Sequence, residues 1–442
     1  MSLLAWNLLS KICANVVDFL RKYLQSTDFL HRHRLSEKHF SRNRKLPFAA
    51  VILFLMNLVR SSLQKELDGF FQLLNRSDIA GRIVTAGAFC RARRKLSFEA
   101  FIELGHKLVS FFYETYPHRR WMGLRLLAID GSTLRVPYNS ETKKFFGSWH
   151  PVKGKRPCPM ARTSLLHDVL NHLTVDALMA PKEEGERSLA AKHLQTIGQG
   201  DLLLLDRGYP AYWLFAETLG RGAHFLARMK RNEAVVRDFL RTGRREALIT
   251  LLPNPVARKI CEEKNIPDTS LKLRILRFSL KKGIKVVLLT SLLDKERFPL
   301  FDLKALYTKR WAIEETYRQT KCRLEMENFS GNSPLAVLQD FHARILTSNL
   351  AAVLVHPVQD LLDKEQDDHP KGHRRQVNFT YALSVMKNNL VSIFLRPDRA
   401  KIILKLFTLL SKTLSVIRPG RRNPRKRGPK LKLYAMAYKP IA

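Results

Sequence analysis

The sequence predicts an α/β fold flanked by helical regions, and three patterns in its 442 residues predict it. Residues 1–118 place Leu, Ile and Phe at spacings of three and four with few Gly or Pro, which is the period of amphipathic helices. Two apolar segments, residues 123–137 and 201–209, have the composition of buried strands. A helical pattern over residues 186–198 lies between them, as in a sheet whose strands alternate with helices.

The same patterns divide the chain into five regions, which are residues 1–118, 119–230, 231–299, 300–356 and 357–442. The third region interrupts the alternation, because two apolar segments flank Lys281-Lys282-Gly283 and predict a hairpin over 271–293. A long apolar helix is expected over residues 336–356. The last region ends in a tail, residues 418–432, with eight basic residues and no acid, which is expected to be loose on its own.

The charge of the chain indicates a polyanionic partner. The sequence has 77 Lys and Arg against 39 Asp and Glu, a formal net charge of +38. Nucleic acid is favoured over a membrane, because no apolar run reaches the roughly 20 residues of a spanning helix. The first residues lack a convincing signal peptide. The five cysteines have neither zinc-finger nor disulfide-framework spacing, which favours a reducing, cytoplasmic setting.

Two acids follow the apolar strand segments. We expect the first strand to end at Asp130 in a turn through Gly131 and Ser132, and the second to end at Asp206. In α/β sheets ligands gather beyond the strand ends, so neighbouring strands would point both carboxylates into one site. The alternatives are that Asp130 only caps its turn and that Asp206 only pairs with Arg207.

A third acid lies on a predicted helix over residues 306–325. Tyr307, Arg310, Glu314 and Lys321 fall within roughly 60° of arc on one face, and Leu306 lies on the neighbouring stripe that would anchor the helix to a core. An ion-paired surface face is the alternative for this stretch. Three converging carboxylates would repel each other and select hard cations, so Mg²⁺, or Mn²⁺ in its place, is the expected cofactor. Two such ions can promote an in-line phosphoryl displacement.

Three motifs resemble the DDE transposases of bacterial insertion sequences, specifically the insertion-sequence-4 family. They are LLAIDGS around Asp130, LLLLDRGY around Asp206, and the Y-x2-R-x3-E-x6-K signature formed by Tyr307, Arg310, Glu314 and Lys321. The last signature fits at every fixed position. The resemblance covers roughly residues 85–355.

The resemblance implies a ribonuclease-H-like mixed five-stranded sheet with flanking helices, interrupted by a β-rich insertion at 231–299, plus helical N- and C-terminal regions. The catalytic core would then comprise residues 119–230 and 300–356, and residues 1–118 would bind DNA. Asp130, Asp206 and Glu314 would be the catalytic metal ligands, and Tyr307, Arg310 and Lys321 would contact the DNA backbone.

The family also implies a function. It implies cut-and-paste transposition by two-metal strand cleavage and strand transfer at terminal inverted repeats of double-stranded DNA, into target DNA. The partners would be that DNA and a second copy of the chain in a synaptic homodimer, located at the nucleoid of a bacterial cytoplasm. Some members flip a base onto a tryptophan of the insertion during hairpin formation, but residues 231–299 contain no tryptophan, so the hairpin route stays open. A related nuclease without strand transfer and a non-catalytic DNA-binding derivative are the alternatives.

Overall fold

The computed structural model describes residues 3–42, 44–149, 157–279, 285–309, 324–369 and 372–417. These residues fall into two compact units. The unit made of Met1–Pro117, Thr133–Ala161 and Arg318–Ala442 is called the helical unit here. The unit made of His118–Ser132 and Arg162–Tyr317 is called the sheet unit.

The N-terminal region is helical, as its period predicts. Its helices are α1 (Leu3–Leu24), α2 (Thr27–His33), α3 (Phe48–Met56), α4 (Leu63–Asn75), α5 (Ala86–Arg93) and α6 (Glu99–Thr115). Side-chain caps fix several starts, since Ser26, Ser62 and Thr85 each accept a hydrogen bond from a backbone N–H of the first turn of α2, α4 and α5.

Strands and helices alternate through the middle of the chain. The elements are β1 (Arg125–Arg135), α7 (Ser140–Phe146), β2 (Ser148–Trp149), β3 (Cys158–Asp168), β4 (Leu173–Pro181), α8 (Glu186–His193), β5 (Asp201–Leu205), α9 (Tyr212–Gly220), β6 (His224–Arg228), α10 (Ala234–Arg241), β7 (Glu246–Leu251), α11 (Pro255–Glu263), β8 (Leu271–Ser279), β9 (Lys285–Thr290) and α12 (Leu300–Lys309). The described residues thus confirm an α/β fold with a large mixed sheet and flanking helices.

The sheet has the order β2-β3-β1-β5-β6-β9-β8-β7, and β4 pairs with β3. The five strands β4-β3-β1-β5-β6 form the part expected for a ribonuclease-H-like core, in which β1, β5 and β6 are parallel. The hairpin expected over 271–293 is confirmed by the antiparallel pairing of β8 with β9, although its turn, residues 280–284, lies outside the described residues. Because β9 pairs with β6, the strands of the insertion extend the same sheet.

The first strand differs from its prediction. We expected a turn after Asp130, but β1 continues to Arg135 as one strand. The reason is its second neighbour. Pairing with β5 extends only to Ala128, whereas hydrogen bonds with β3 continue beyond it. Thr163 Oγ1 of β3 donates to Ser132 O at 3.3 Å, and Val136 N, just after β1, donates to Pro159 O of β3 at 3.2 Å.

One hydrophobic cluster of the sheet unit packs on one face of the sheet. Leu126 and Ala128 of β1, Leu202 and Leu204 of β5, Leu226 of β6 and Leu288 of β9 are all fully buried there. Helix α12 covers this face through Leu303, Leu306 and Tyr307. The anchoring role expected for Leu306 is therefore confirmed.

The C-terminal region consists of α13 (Pro334–Asp368), β10 (Arg375–Val377), α14 (Phe379–Leu395), α15 (Arg399–Lys412) and β11 (Leu414–Val416). The helix expected over 336–356 is confirmed within α13. By length and composition α13 resembles a membrane span, but 67% of its most apolar stretch of 18 residues is buried in the protein. It also carries buried Asp340 and Arg344, so it is the core helix of the helical unit.

A buried ion pair joins α5 to α13 within the helical unit. The Arg93 guanidinium, 3% exposed, donates to Asp340 Oδ1 at 2.9 Å, Gln339 Oε1 at 2.9 Å, Ser330 Oγ at 2.8 Å and Ala336 O at 3.1 Å. Asp340 also accepts from the Ser330 hydroxyl at 2.8 Å. The pair is thus satisfied by hydrogen bonds on both sides, the condition under which a buried charge is tolerated.

Replacing Arg93 should destabilise the protein strongly. Arg93→Met leaves the Asp340 carboxylate buried without its cation, so we expect the free energy of unfolding to fall by about 3–5 kcal/mol in urea titrations. The neighbouring Arg94 is exposed, and Arg94→Met is the matched control with an expected change within about 0.5 kcal/mol. Equal, small losses in both variants would contradict the structural role of Arg93.

Candidate active site

The alignment of two strands determines where Asp130 and Asp206 lie. In the parallel ladder of β1 and β5, Arg125 is opposite Asp201 and Ala128 is opposite Leu204. Continuing this register by two residues places Asp130 opposite Asp206. Neighbouring strands are about 4.8 Å apart and opposite residues of a ladder share a face, so this continuation would bring both carboxylates to the same face of the sheet. The convergence predicted for these two acids is therefore supported by the register.

A salt bridge holds that register. The Arg125 guanidinium makes a bidentate contact with Asp201, with Nε donating to Oδ1 and Nη2 to Oδ2, each at 2.7 Å. The side chains are 17% and 5% exposed. Asp201 also accepts from the Gly198 N–H at 3.0 Å, which fixes the start of β5. Because Asp201 is nearly buried and the contact is bidentate, this salt bridge is stronger than a single hydrogen bond between neutral groups.

Asp206 is the first residue after β5 and is half-buried. Its backbone carbonyl accepts from Tyr209 N at 3.0 Å, which closes the turn through Arg207 and Gly208. The alternative pairing with Arg207 is not found, since Asp206 forms no ion pair within the part of the chain that the structure describes. From α12, the Tyr307 hydroxyl donates to Asp206 Oδ1 at 3.5 Å, a long and weak hydrogen bond. Tyr307 is only 5% exposed, so packing determines where its hydroxyl lies.

Asp130 is also half-buried, and its Oδ1 accepts from the Gly131 N–H at 3.0 Å. The alternative that Asp130 caps a turn loses its basis, because β1 continues through this point. Asp130 thus occupies the middle of a strand, where an acid is costly without a compensating partner.

The sequence did not reveal a further carboxylate at this place. Glu186 is the first residue of α8, and its Cγ and Cδ would lie 3.4 and 3.5 Å from a Cβ placed on Gly131. Its Oε2 would lie 3.9 Å from a Cβ placed on Gly208. The Glu186 side chain therefore lies beside the glycines that follow Asp130 and Asp206, and it approaches closely because neither glycine has a side chain. The sequence feature that could have revealed it is a Glu at the start of a helix. This feature does not indicate a functional site, because acids are favoured at helix N-termini in general.

Two arginines accompany Glu186. Arg162 of β3 contacts Glu186 Oε1 through Nη1 at 3.2 Å and donates from Nε to Lys182 O at 3.1 Å. Arg187 donates from Nε to Gly208 O at 3.0 Å, which ties the start of α8 to the turn after Asp206. The two arginines therefore place positive charge beside Glu186 and beside the turn that follows Asp206.

The donor set fits a hard divalent cation. Mg²⁺ prefers oxygen ligands such as carboxylates. It also keeps several of its bound waters, so one or two carboxylates are enough to bind one Mg²⁺ ion. Among the described residues, no three His, Cys, Asp or Glu side chains converge as a metal group. The remaining predicted ligand, Glu314, lies outside the described residues, as do the predicted DNA contacts Arg310 and Lys321. Of the signature residues, Tyr307 is the one whose position the structure describes.

The sequence model of the transposase DDE domain matches residues 121–350, slightly more than half of the chain. This chain belongs to the DDE transposases. The family makes it a DNA transposase, an enzyme that cleaves and joins DNA strands. The resemblance inferred from the three motifs is confirmed, and the matched span contains Asp130, Asp206 and Glu314.

Two further proteins are similar to this transposase. The transposase InsG of the insertion sequence element IS4 from Escherichia coli K12 is 27% identical over 317 residues, which cover 70% of each chain. Among solved structures, that of a piggyBac transposase synaptic complex with hairpin DNA aligns with 97% of this chain and 88% of its own, at 11% identity and a TM-score of 0.43.

Loss of the Arg125–Asp201 salt bridge should lower the free energy of unfolding of the transposase. Arg125→Met leaves the nearly buried Asp201 without its cation, and we expect about 3 kcal/mol less stability in urea unfolding. Arg241→Met is the control, since Arg241 pairs with Asp238 three residues earlier on α10, where the two side chains are 79% and 71% exposed, and its loss should cost under about 1 kcal/mol. Equal effects in the two variants would argue against a special role of the register pair.

Proposed function

We propose that this transposase excises and inserts its element by a cut-and-paste route that depends on Mg²⁺. The observation that supports the proposal is the register of β1 and β5, which, if continued two residues beyond its last pair of Ala128 with Leu204, would bring Asp130 opposite Asp206. In this proposal Asp130, Asp206 and Glu314 hold two Mg²⁺ ions, for which Mn²⁺ can substitute. The ions supply activation of the attacking oxygen and stabilisation of the leaving oxygen.

The residues of the chain have separate tasks in the proposed reaction. The Tyr307 hydroxyl lies 3.5 Å from Asp206 Oδ1 and donates a weak hydrogen bond to it. Arg310 and Lys321, with Tyr307, contact the DNA backbone near the scissile phosphate, and bidentate guanidinium contacts suit that purpose. A water oxygen bonds to the phosphorus at the element end, and the bond to the 3′ oxygen breaks, which leaves a 3′-hydroxyl on the element. That hydroxyl then attacks a phosphorus of the opposite strand or of the target DNA. A new phosphodiester forms while the bond from that phosphorus to its former 3′ oxygen breaks, and this oxygen leaves as a 3′-hydroxyl with the proton that the attacking group loses, so no protein nucleophile forms a covalent bond.

The proposed substrates are the terminal inverted repeats of the element and a target duplex. Two chains are expected in the synaptic complex, because two element ends must be brought together before insertion. We expect the protein to act in the bacterial cytoplasm, at the nucleoid. The net charge of +38 supports attraction to DNA but gives no sequence preference.

Glu314→Ala should abolish cleavage and leave DNA binding intact. Removing one of three proposed metal ligands takes away several kcal/mol of transition-state stabilisation, so we expect strand cleavage at labelled element ends in Mg²⁺ to fall by roughly a thousandfold or more. Binding of the same duplex in EDTA, measured by fluorescence anisotropy, should change less than about threefold.

Glu296→Ala is the matched control, since Glu296 is an exposed acid of the sheet unit. It should leave both cleavage and binding unchanged. Strand mapping of the products distinguishes the reactions, because a transposase gives joined products whereas a nuclease gives cleavage alone. Cleavage retained by Glu314→Ala would refute the assignment of the third acid.

A further inference from the structure

The strand β7 forms one edge of the large sheet. It is last in the strand order, and its whole length pairs antiparallel with β8 in an unbroken register. Arg277 N donates to Arg245 O at 2.7 Å, which identifies the residue pairs of this ladder that exchange hydrogen bonds. Since such pairs alternate along an antiparallel ladder, the N–H and C=O groups of Glu246, Leu248 and Thr250 point away from β8, toward the open edge.

This edge has no partner within the described ranges of the chain. No described residue makes a backbone hydrogen bond to the outward groups of Glu246, Leu248 or Thr250. Edge strands are usually protected by Lys, Pro, a bulge or a very short length. β7 has six residues, its sequence EALITL contains neither Lys nor Pro, and its register with β8 shows no bulge. An edge of this kind favours pairing with a strand of another chain.

The side chains at this edge are mostly apolar. Leu248 and Leu252 are 61% and 64% exposed, and Val256 at the start of α11 is 70% exposed. From Ala247 to Ala257 the sequence has no charged residue, in a chain whose net charge is +38. Two copies of such a basic chain repel each other, and this repulsion is smallest where both surfaces are neutral. The edge is therefore suited to a second copy of the same chain.

An ion pair within the sheet unit fixes the start of the edge strand. Arg274 of β8, whose side chain is 1% exposed, donates from Nε to Glu246 Oε2 at 3.1 Å and from Nη1 to Phe298 O at 2.7 Å. Lys295 Nζ lies 3.5 Å from Glu246 Oε1. The single charge of β7 is thus balanced inside its own chain. The strand is ordered before a partner binds, which lowers the entropic cost of pairing.

We propose that two copies of this transposase associate by antiparallel pairing of β7 with β7 of the second copy. The proposal takes from the proposed function only its expectation of two chains, and it names the surface between them. A two-fold axis at Leu248 places this residue opposite its own copy and Glu246 opposite Thr250. Every outward N–H and C=O of the strand then finds a partner, and the two exposed leucines cover each other. Parallel pairing would instead bring Arg244 and Arg245 of both copies together, which is destabilising.

Cross-linking through an introduced cysteine tests the register. Opposite residues of a hydrogen-bonded antiparallel pair have Cα atoms about 5.5 Å apart, within the range that a disulfide spans. Leu248→Cys should therefore give a covalent dimer under mild oxidation of the full chain, without DNA or metal. Leu252→Cys is the matched control, since Leu252 is equally exposed but lies about 13 Å along the strand from the axis. It should link no more than the parental protein, whose own cysteines set the background.

Sedimentation equilibrium of the full chain tests the association itself. The parental protein should form a concentration-dependent dimer. Leu248→Lys should raise its Kd at least about tenfold, because the axis places the two added charges opposite each other. Thr250→Pro should also weaken the dimer, since it removes an outward N–H that β8 does not use, and agreement of the two variants guards against misfolding of one. Phe301→Lys, which adds the same charge at an exposed position of α12, should change the Kd less than about threefold.

Three results would overturn the proposal. The first is a parental protein that stays monomeric at every concentration, and the second is a dimer that Leu248→Lys weakens no more than Phe301→Lys. The third is equal cross-linking of Leu248→Cys and Leu252→Cys, because the links would then come from random collisions. Neither measurement uses DNA or Mg²⁺, so failure of the proposed cleavage chemistry would leave both results unaffected.

Discussion

The parallel pairing of β1 with β5 is the constraint on which the proposed site depends. The bidentate contact between Arg125 and Asp201 fixes which residues face each other at the start of the ladder. Continued to the fifth residue after Arg125, the same register would bring Asp130 opposite Asp206. A slip of one residue would turn one of the two acids to the other face of the sheet, because side chains alternate along a strand. The two acids can converge only if this register is kept. The Arg125–Asp201 salt bridge therefore affects the proposed site through the alignment of β1 with β5.

Part of this arrangement was predictable from local sequence. Apolar runs that reach an acid indicated the positions of Asp130 and Asp206, and the three-to-four spacing indicated the helices. The uninterrupted course of β1 was not predictable, because it depends on hydrogen bonds from β3, about thirty residues later in the chain. Glu186 was missed for a similar reason. Its place beside Gly131 and Gly208 is created only by folding.

The N-terminal basic run shows the same limit for charge. Arg91, Arg93, Arg94 and Lys95 are four cations within five residues, and the sequence does not distinguish them. Folding separates them, because Asp340 lies 247 residues from Arg93 and draws that one guanidinium into the core. The other three keep their positive charge at the surface. The helical unit thus uses one arginine of this run for stability.

The central claim is that Asp130, Asp206 and Glu314 hold metal ions in one site, and anomalous diffraction tests it most directly. Crystals of the transposase with an element-end duplex and Mn²⁺ should be measured at the manganese absorption edge. The account predicts anomalous peaks within about 2.5 Å of carboxylate oxygens from all three acids. Peaks that involve other side chains and leave Asp130 or Asp206 without a metal contact would contradict it.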